Sequence, residues 1–179
     1  MGDRLRLFHV SEKPGITIFN PRTVPSPDTG VTGEVVWAVD EDHLPNYLLP
    51  RDCPRVTFRA TPQTSGRDIA GWFDNTDARR MIVTEQGWFE RINSAVLYVY
   101  QMPTEPFELA DGSAGYYVSR HAIMPIDVRE LHQPTAEIIE RGYEIRYVPD
   151  LWQIRDGVVR STLDYSIIRM RSASRPTSS

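Results

Sequence analysis

Leu5-Arg6-Leu7-Phe8-His9-Val10-Ser11 alternates in character, and Glu12-Lys13-Pro14-Gly15 turns the chain directly after it. Side chains in a strand repeat every two residues, so Leu5, Leu7 and His9 share one face while Arg6, Phe8 and Val10 share the other. The apolar runs further on have the same extended character. Val35-Val36-Trp37-Ala38-Val39 is apolar on both faces, which predicts a central strand covered from two sides. Ala95 to Met102 is β-branched and aromatic on both faces and predicts a long inner strand. Arg55 to Ala60 turns Val56, Phe58 and Ala60 inward as a half-exposed strand. Shorter strands are expected at Ile16–Phe19, Met81–Thr84, Phe107–Leu109, Gly115–Ser119 and Ile126–Val128, and along the Tyr143, Ile145, Tyr147 face.

The helices predicted between these strands are short. Asp40 and Glu41 suit the start of one that carries His43, Leu44, Asn46, Tyr47 and Leu48 and stops at Pro50. Trp88 to Asn93 forms another, and Pro134 to Arg141 a third, with proline in its first turn and Gly142 at its end. Asp150 to Gln153 fits a capping box opening a C-terminal helix to about Met170, with Trp152, Val159, Leu163, Ile167 and Met170 at helical spacing. Together these predict an α+β fold: a single domain over residues 1–171 and a disordered tail over 172–179. Its mainly antiparallel sheet is strongly bent, or divided into two packed sheets, with short peripheral helices and a C-terminal helix. The Pro- and Gly-rich stretch Thr23 to Gly33 is a loop long enough to cover a site.

Composition narrows the function classes. Net charge is −4 and, of 20 basic residues, Lys13 is the one lysine, which argues against a general nucleic-acid-binding surface. No apolar run approaches the roughly 18 residues that span a bilayer. No signal peptide is expected either, because Met1 to Arg6 leads straight into a strand. The expected compartment is a bacterial-type cytoplasm. One cysteine, Cys53, rules out an intrachain disulfide or a cysteine cluster, and no base lies beside it in sequence, so it reads as structural.

His9 and Ser11, at the end of the opening strand and on one face, are the first candidate site residues. The other reading of His9 is a core histidine bonded to backbone. As nucleophile and base the two are badly placed, since strand positions i and i+2 lie about 7 Å apart along the rise and no orienting carboxylate accompanies them. Asp40-Glu41-Asp42-His43 has the residue types of a metal site, but adjacent side chains diverge, so no metal is expected there.

The chain resembles two groups of proteins. His9-Val10-Ser11, then Val36-Trp37-Ala38-Val39-Asp40, then Asn46-Tyr47 resemble the motifs of the ADP-ribosyltransferase-like fold of the His-Tyr-Glu kind. The resemblance implies NAD or a related nucleotide as ligand. His9 and Ser11 would hold the ribose and the nicotinamide amide, Trp37 would stand at the second motif's aromatic position, and Tyr47 would stack on the nicotinamide. Arg51 or Arg22 would meet phosphate. Val10 replaces the family's usual glycine and Trp37 its tyrosine. The third motif's catalytic glutamate has its counterpart at Gly115 to Ser119, which offers Tyr116 and Tyr117 instead. Glu85, Glu137 and Glu144 are other carboxylates to consider. Across residues 5–173 the chain is also similar to an uncharacterised bacterial family. That family shares His-Val-Ser-Glu, Leu-Pro-Asn-Tyr-Leu, Cys-Pro-Arg-Val-Thr and Ala-Gly-Tyr-Tyr-Val and brings no activity with it. Two functions stand side by side: a nucleotide cleft of the transferase kind, its enzymatic status open, and a noncatalytic small-ligand-binding or protein-interaction module.

Overall fold

A computed structural model describes residues 4–24 and 30–175. They separate into two units, each gathered from two stretches of chain: the first from residues up to Tyr47 and from Val96–His132, the second from Leu48–Ala95 and from Gln133 onward.

In the first unit the opening strand, β1 (Leu7–Ser11), sits inside a seven-stranded sheet. It pairs along its whole length with β6 (Leu97–Met102), from Leu7 opposite Met102 to Ser11 opposite Tyr98. Its other neighbour is β3 (Glu34–Asp40), which continues through β8 (Tyr116–Ser119) to β7 (Glu108–Asp111). Beyond β6 lies β9 (Asp127–Leu131), and β2 (Arg22–Thr23) pairs with β3 alone. All these ladders are antiparallel. The pleat gathers Leu7, Val36, Ala38, Tyr100 and Met102 on one face, where they pack with Phe19, Phe107 and Ile123. Fully burying a side chain such as Leu7 contributes about 1.5–3 kcal/mol, so this face anchors the sheet. Ile16 to Phe19 does not form the strand its composition predicts. Pro14-Gly15 and Asn20-Pro21 leave too little chain between turns, and Phe19 makes one isolated bridge with Ile123.

The second unit carries a four-stranded sheet in the order β10 (Tyr143–Val148), β5 (Arg80–Glu85), β4 (Arg55–Arg59), β11 (Asp164–Ile168). Its pairs are antiparallel except β10 with β5, which run parallel. Four helices belong to it: α1 (Gly66–Trp72), α2 (Phe89–Ser94), α3 (Pro134–Glu140) and α4 (Leu151–Val159). Ser65 caps α1 by accepting the Asp68 N–H, and Asp150 caps α4 by accepting that of Trp152. Val56, Phe58, Phe73, Met81, Val83, Leu151, Val158 and Leu163 form its core.

The α+β class and the two mainly antiparallel sheets are as the sequence predicts; the C-terminal helix is shorter than predicted. It ends at Val159, and Asp164–Ile168 pairs with β4 as a strand. Val159, Leu163 and Ile167 stand four apart, a spacing that also keeps every second strand position on one face, so periodicity could not separate the two. The turn between them is fixed by bonds distant in sequence: Asp68 accepts both the Thr162 N–H (2.8 Å) and its hydroxyl (2.6 Å). Strand β4 is more enclosed than its alternation predicts, because Arg55 and Thr57 are buried as well as Val56 and Phe58. Of the tail read over 172–179, residues 176–179 lie outside the described residues, while Ser174 donates to Glu85 through its N–H and its hydroxyl. The middle of the loop read as a cover, residues 25–29, also lies outside them. Among the described residues no helix is long and apolar enough to cross a membrane.

Candidate functional site

Strand β1 follows β6 to Ser11, but its ladder with β3 covers only Leu7 and Phe8, opposite Asp40 and Val39. At His9 the two strands part. The imidazole takes over where the main chain leaves off: His9 Nδ1 lies 2.8 Å from the Trp37 carbonyl oxygen. A carbonyl only accepts, so Nδ1 carries the proton and donates. The ring also packs against Phe19 at 4.7 Å between centroids, and Phe19 meets Tyr100 edge-on at 5.1 Å. Ser11 turns the chain, its Oγ accepting the Lys13 N–H at 3.0 Å.

Trp37 alternates with Val36 and Ala38 and so projects from the opposite face of the sheet. There its ring meets Tyr116 at 5.3 Å, and Tyr47, from the 3-10 turn Leu44–Tyr47, meets the same Tyr116 at 5.5 Å. All three rings are half-buried. The sequence candidates therefore fall into two pairs, with His9 and Ser11 on one face of the first unit's sheet and Trp37 and Tyr47 on the other. Tyr116, noted in the sequence as standing where a carboxylate was sought and as a binding residue of the noncatalytic alternative, joins the second pair. Arg22 lies on β2 in the same unit, whereas Arg51 belongs to the second unit.

At the end of β3, on the face opposite Trp37, is a constellation that the sequence reading took for a helix start. Asp40 Oδ1 accepts the His43 N–H at 2.9 Å and also lies 2.8 Å from His43 Nδ1. The expected helix does not form: Asp40 closes a turn, only the 3-10 element Leu44–Tyr47 follows, and the same oxygen additionally fixes the ring. Gly115, with φ +65°, lies against both: a Cβ there would stand 2.6 Å from His43 Cγ and 2.8 Å from Asp40 Oδ2. Asp40 in turn donates its N–H to the Gly115 carbonyl at 3.0 Å. His43 is 6% exposed, and its Nε2 has no hydrogen-bond partner. The available signal was the pair Asp40-x-x-His43 at a strand end together with the glycine of Ala114-Gly115-Tyr116. Neither half suggests the other without the fold. Among the described residues no group of three or more His, Cys, Asp and Glu side chains is arranged to hold a metal ion.

The remaining chemical groups are held structurally. Cys53 is buried with its Sγ 3.3 Å from Thr84 Oγ1, and burial pushes its thiol pKa up, which keeps it protonated and unreactive. Glu85, Glu137 and Glu144 all fall in the second unit, where Glu85 binds Ser174, Glu137 pairs with Arg141 at 3.0 Å and Glu144 with Arg146 at 2.6 Å.

No curated protein and no solved structure matches the chain. A family model does match, over residues 8–173, and by that match the chain belongs to a family of unknown function, DUF6886.

Proposed function

We propose that the first unit binds a nucleotide of the NAD class and does so without transferring ADP-ribose. The observation that carries this reading is the aromatic trio. Trp37, Tyr47 and Tyr116 come from a strand, a turn and a second strand, yet they converge as half-buried rings with Tyr116 touching both others. Flat, partly exposed aromatic surface suits a planar heterocycle, and stacking of that kind contributes about 1–3 kcal/mol per base. In this reading the ring of the ligand lies on the trio. Arg22, opposite Val35 and so on the face of Trp37, meets phosphate, while His9 and Ser11 lie on the other face and take no part in this pose.

Binding is separated from transfer by the chemistry of the third motif. Transfer passes through a cationic ribosyl group that a carboxylate stabilises, and a neutral phenol does this poorly. Tyr116 and Tyr117 occupy the matching strand, and the glutamates considered in their place have partners in the second unit.

Calorimetric titration of the protein with NAD tests the reading. Wild type is expected to bind, Tyr47→Ala to bind about tenfold more weakly, as a loss near 1.4 kcal/mol requires, and His9→Ala, on the other face, to bind as wild type does. No nicotinamide is expected to appear on prolonged incubation. Absence of heat with wild type, or unchanged affinity in Tyr47→Ala, overturns the nucleotide reading; released nicotinamide overturns the restriction to binding.

A further inference from the structure

The seven-stranded sheet of the first unit ends in two edge strands that are built differently. One edge, β7, is four residues long, and its ladder with β8 shifts register between Leu109 and Asp111. A short, irregular edge offers little to another chain. The other edge, β9, pairs with β6 without a break, from Asp127 opposite Gln101 to Leu131 opposite Leu97. Its outer side meets no strand among the described residues, and Asp127 to Glu130 are all exposed. Large apolar side chains lead into it and stand in water: Met124 is 70% exposed, Ile126 62% and Val128 47%. A regular edge strand turns alternate N–H and C=O groups outward, so β9 is a template for one more strand.

The residues of β9 say which strand that is. When two copies of a strand pair antiparallel about a two-fold axis, each residue lies opposite the one equally far beyond the axis. With the axis at Val128, Val128 meets its own copy, while Asp127 of each chain faces Arg129 of the other. Opposite charges then flank an apolar centre. An axis at Arg129 would set two guanidinium groups against each other, and one midway between Val128 and Arg129 would set Asp127 against Glu130. The charges thus select one register from those open to the strand. A guanidinium has five N–H donors, so Arg129 can meet a second chain's carboxylate and keep a bond inside its own. Val128 lies opposite Tyr100, on the face that carries the unit's core, and in this register that apolar face runs on into the second copy.

We infer that the protein forms a two-fold dimer in which β9 pairs antiparallel with β9 of a second copy, centred on Val128, so that the two sheets become one. This surface is independent of the nucleotide reading.

Sedimentation equilibrium of the full chain tests it. Wild type should pass from monomer to dimer as concentration rises. Arg129→Asp sets aspartates against aspartates and Asp127→Arg sets arginines against arginines, so each alone should dimerise about tenfold or more less tightly. Mixing the two variants in equal amounts restores both opposite-charge pairs and should recover the dimer as a heterodimer. Circular dichroism shows whether each variant is folded. Hydrogen exchange of the wild type, which needs no variant, should slow in the peptide covering 124–131 as the dimer forms. The inference is overturned by a wild type that stays monomeric at millimolar concentration, or by a wild-type dimer whose 124–131 peptide exchanges as the monomer's does. Folded single variants that dimerise as wild type does, or a mixture that recovers nothing, overturn it as well.

Discussion

The two units treat their polar residues differently. In the second, Thr84, Asp68 and Glu85 close on protein partners and hold the chain's turns and ends. Thr84 donates to the Pro54 carbonyl, Asp68 gathers Ser65 and Thr162, and Glu85 receives Ser174 through both its oxygens. In the first, His9 stands in for a ladder bond where β1 leaves β3, three aromatic rings remain half-buried, and His43 Nε2 is buried without a hydrogen-bond partner. The first pattern is what stability alone asks of buried polar groups. The second leaves a polar atom buried without a partner, at a cost in stability.

The most severe way to break this contrast is at glycine. Gly115 and Gly142 both have positive φ, +65° and +81°, but a Cβ meets His43 and Asp40 at the first and nothing within 4 Å at the second. Gly142→Ala should cost about 1 kcal/mol, the backbone strain alone. Gly115→Ala adds overpacking against the held imidazole and should cost roughly 3 kcal/mol. Urea denaturation gives the totals. Hydrogen exchange followed by mass spectrometry should locate the Gly115→Ala effect in peptides covering 36–47 and 110–120. Equal costs at the two glycines would mean that the Asp40–His43 contact is not tight.

A smaller effect sharpens the other side. Glu85 is 5% exposed and holds Ser174 at 2.9 and 3.1 Å, while Trp152 Nε1–H donates to the Ser174 carbonyl at 2.7 Å. Glu85→Ala removes two charge-assisted bonds and should cost about 2 kcal/mol. Exchange should rise first in the peptide covering 168–175. If Glu85→Ala instead leaves that peptide protected, Trp152 alone holds the segment and the polar closure of the second unit is weaker than its geometry indicates.

Strand-level reading recovered most of both sheets, because one-sided and two-sided burial leave different marks on a sequence. Val35 to Val39 and Ala95 to Met102 are read as inner strands for that reason, and the second begins at Leu97 in the structure. What failed was decided by partners distant in the chain. Asp164–Ile168 has a spacing compatible with helix or strand, and Asp68, 94 positions away from Thr162, decides it. The site divides in the same way. His9 was visible at a strand end and Trp37 and Tyr47 through the family resemblance, but their distribution over two faces follows from the register of β1, β3 and β8, which no local pattern encodes. His43 was passed over because a carboxylate three residues before it also fits a cap, and only the approach of Gly115 gives the ring its second role.

The mildest test of the contrast uses pH. Hydrogen bonds from the Thr162 hydroxyl, then the Thr162 N–H, then the Ser65 hydroxyl hold the Asp68 carboxyl below the ordinary carboxylate range. A carboxyl whose folded pKa is depressed adds stability above its unfolded pKa and loses it as pH falls through the folded one. Acidification should therefore weaken the turn between α4 and β11 before it affects the rest of the second unit, and peptides covering 158–166 should gain exchange on the acid side of the ordinary aspartate range. Asp68→Asn keeps the size of the side chain but cannot lose charge, so it should be less stable at neutral pH and show a flatter acid limb. The Asp40–His43 turn supplies the comparison, since there the carboxylate fixes an imidazole rather than closing a loop. Should Asp68→Asn leave the acid limb unchanged, the polar bonds of the second unit would contribute shape without stability, and the difference between the two units would lie in His43 alone.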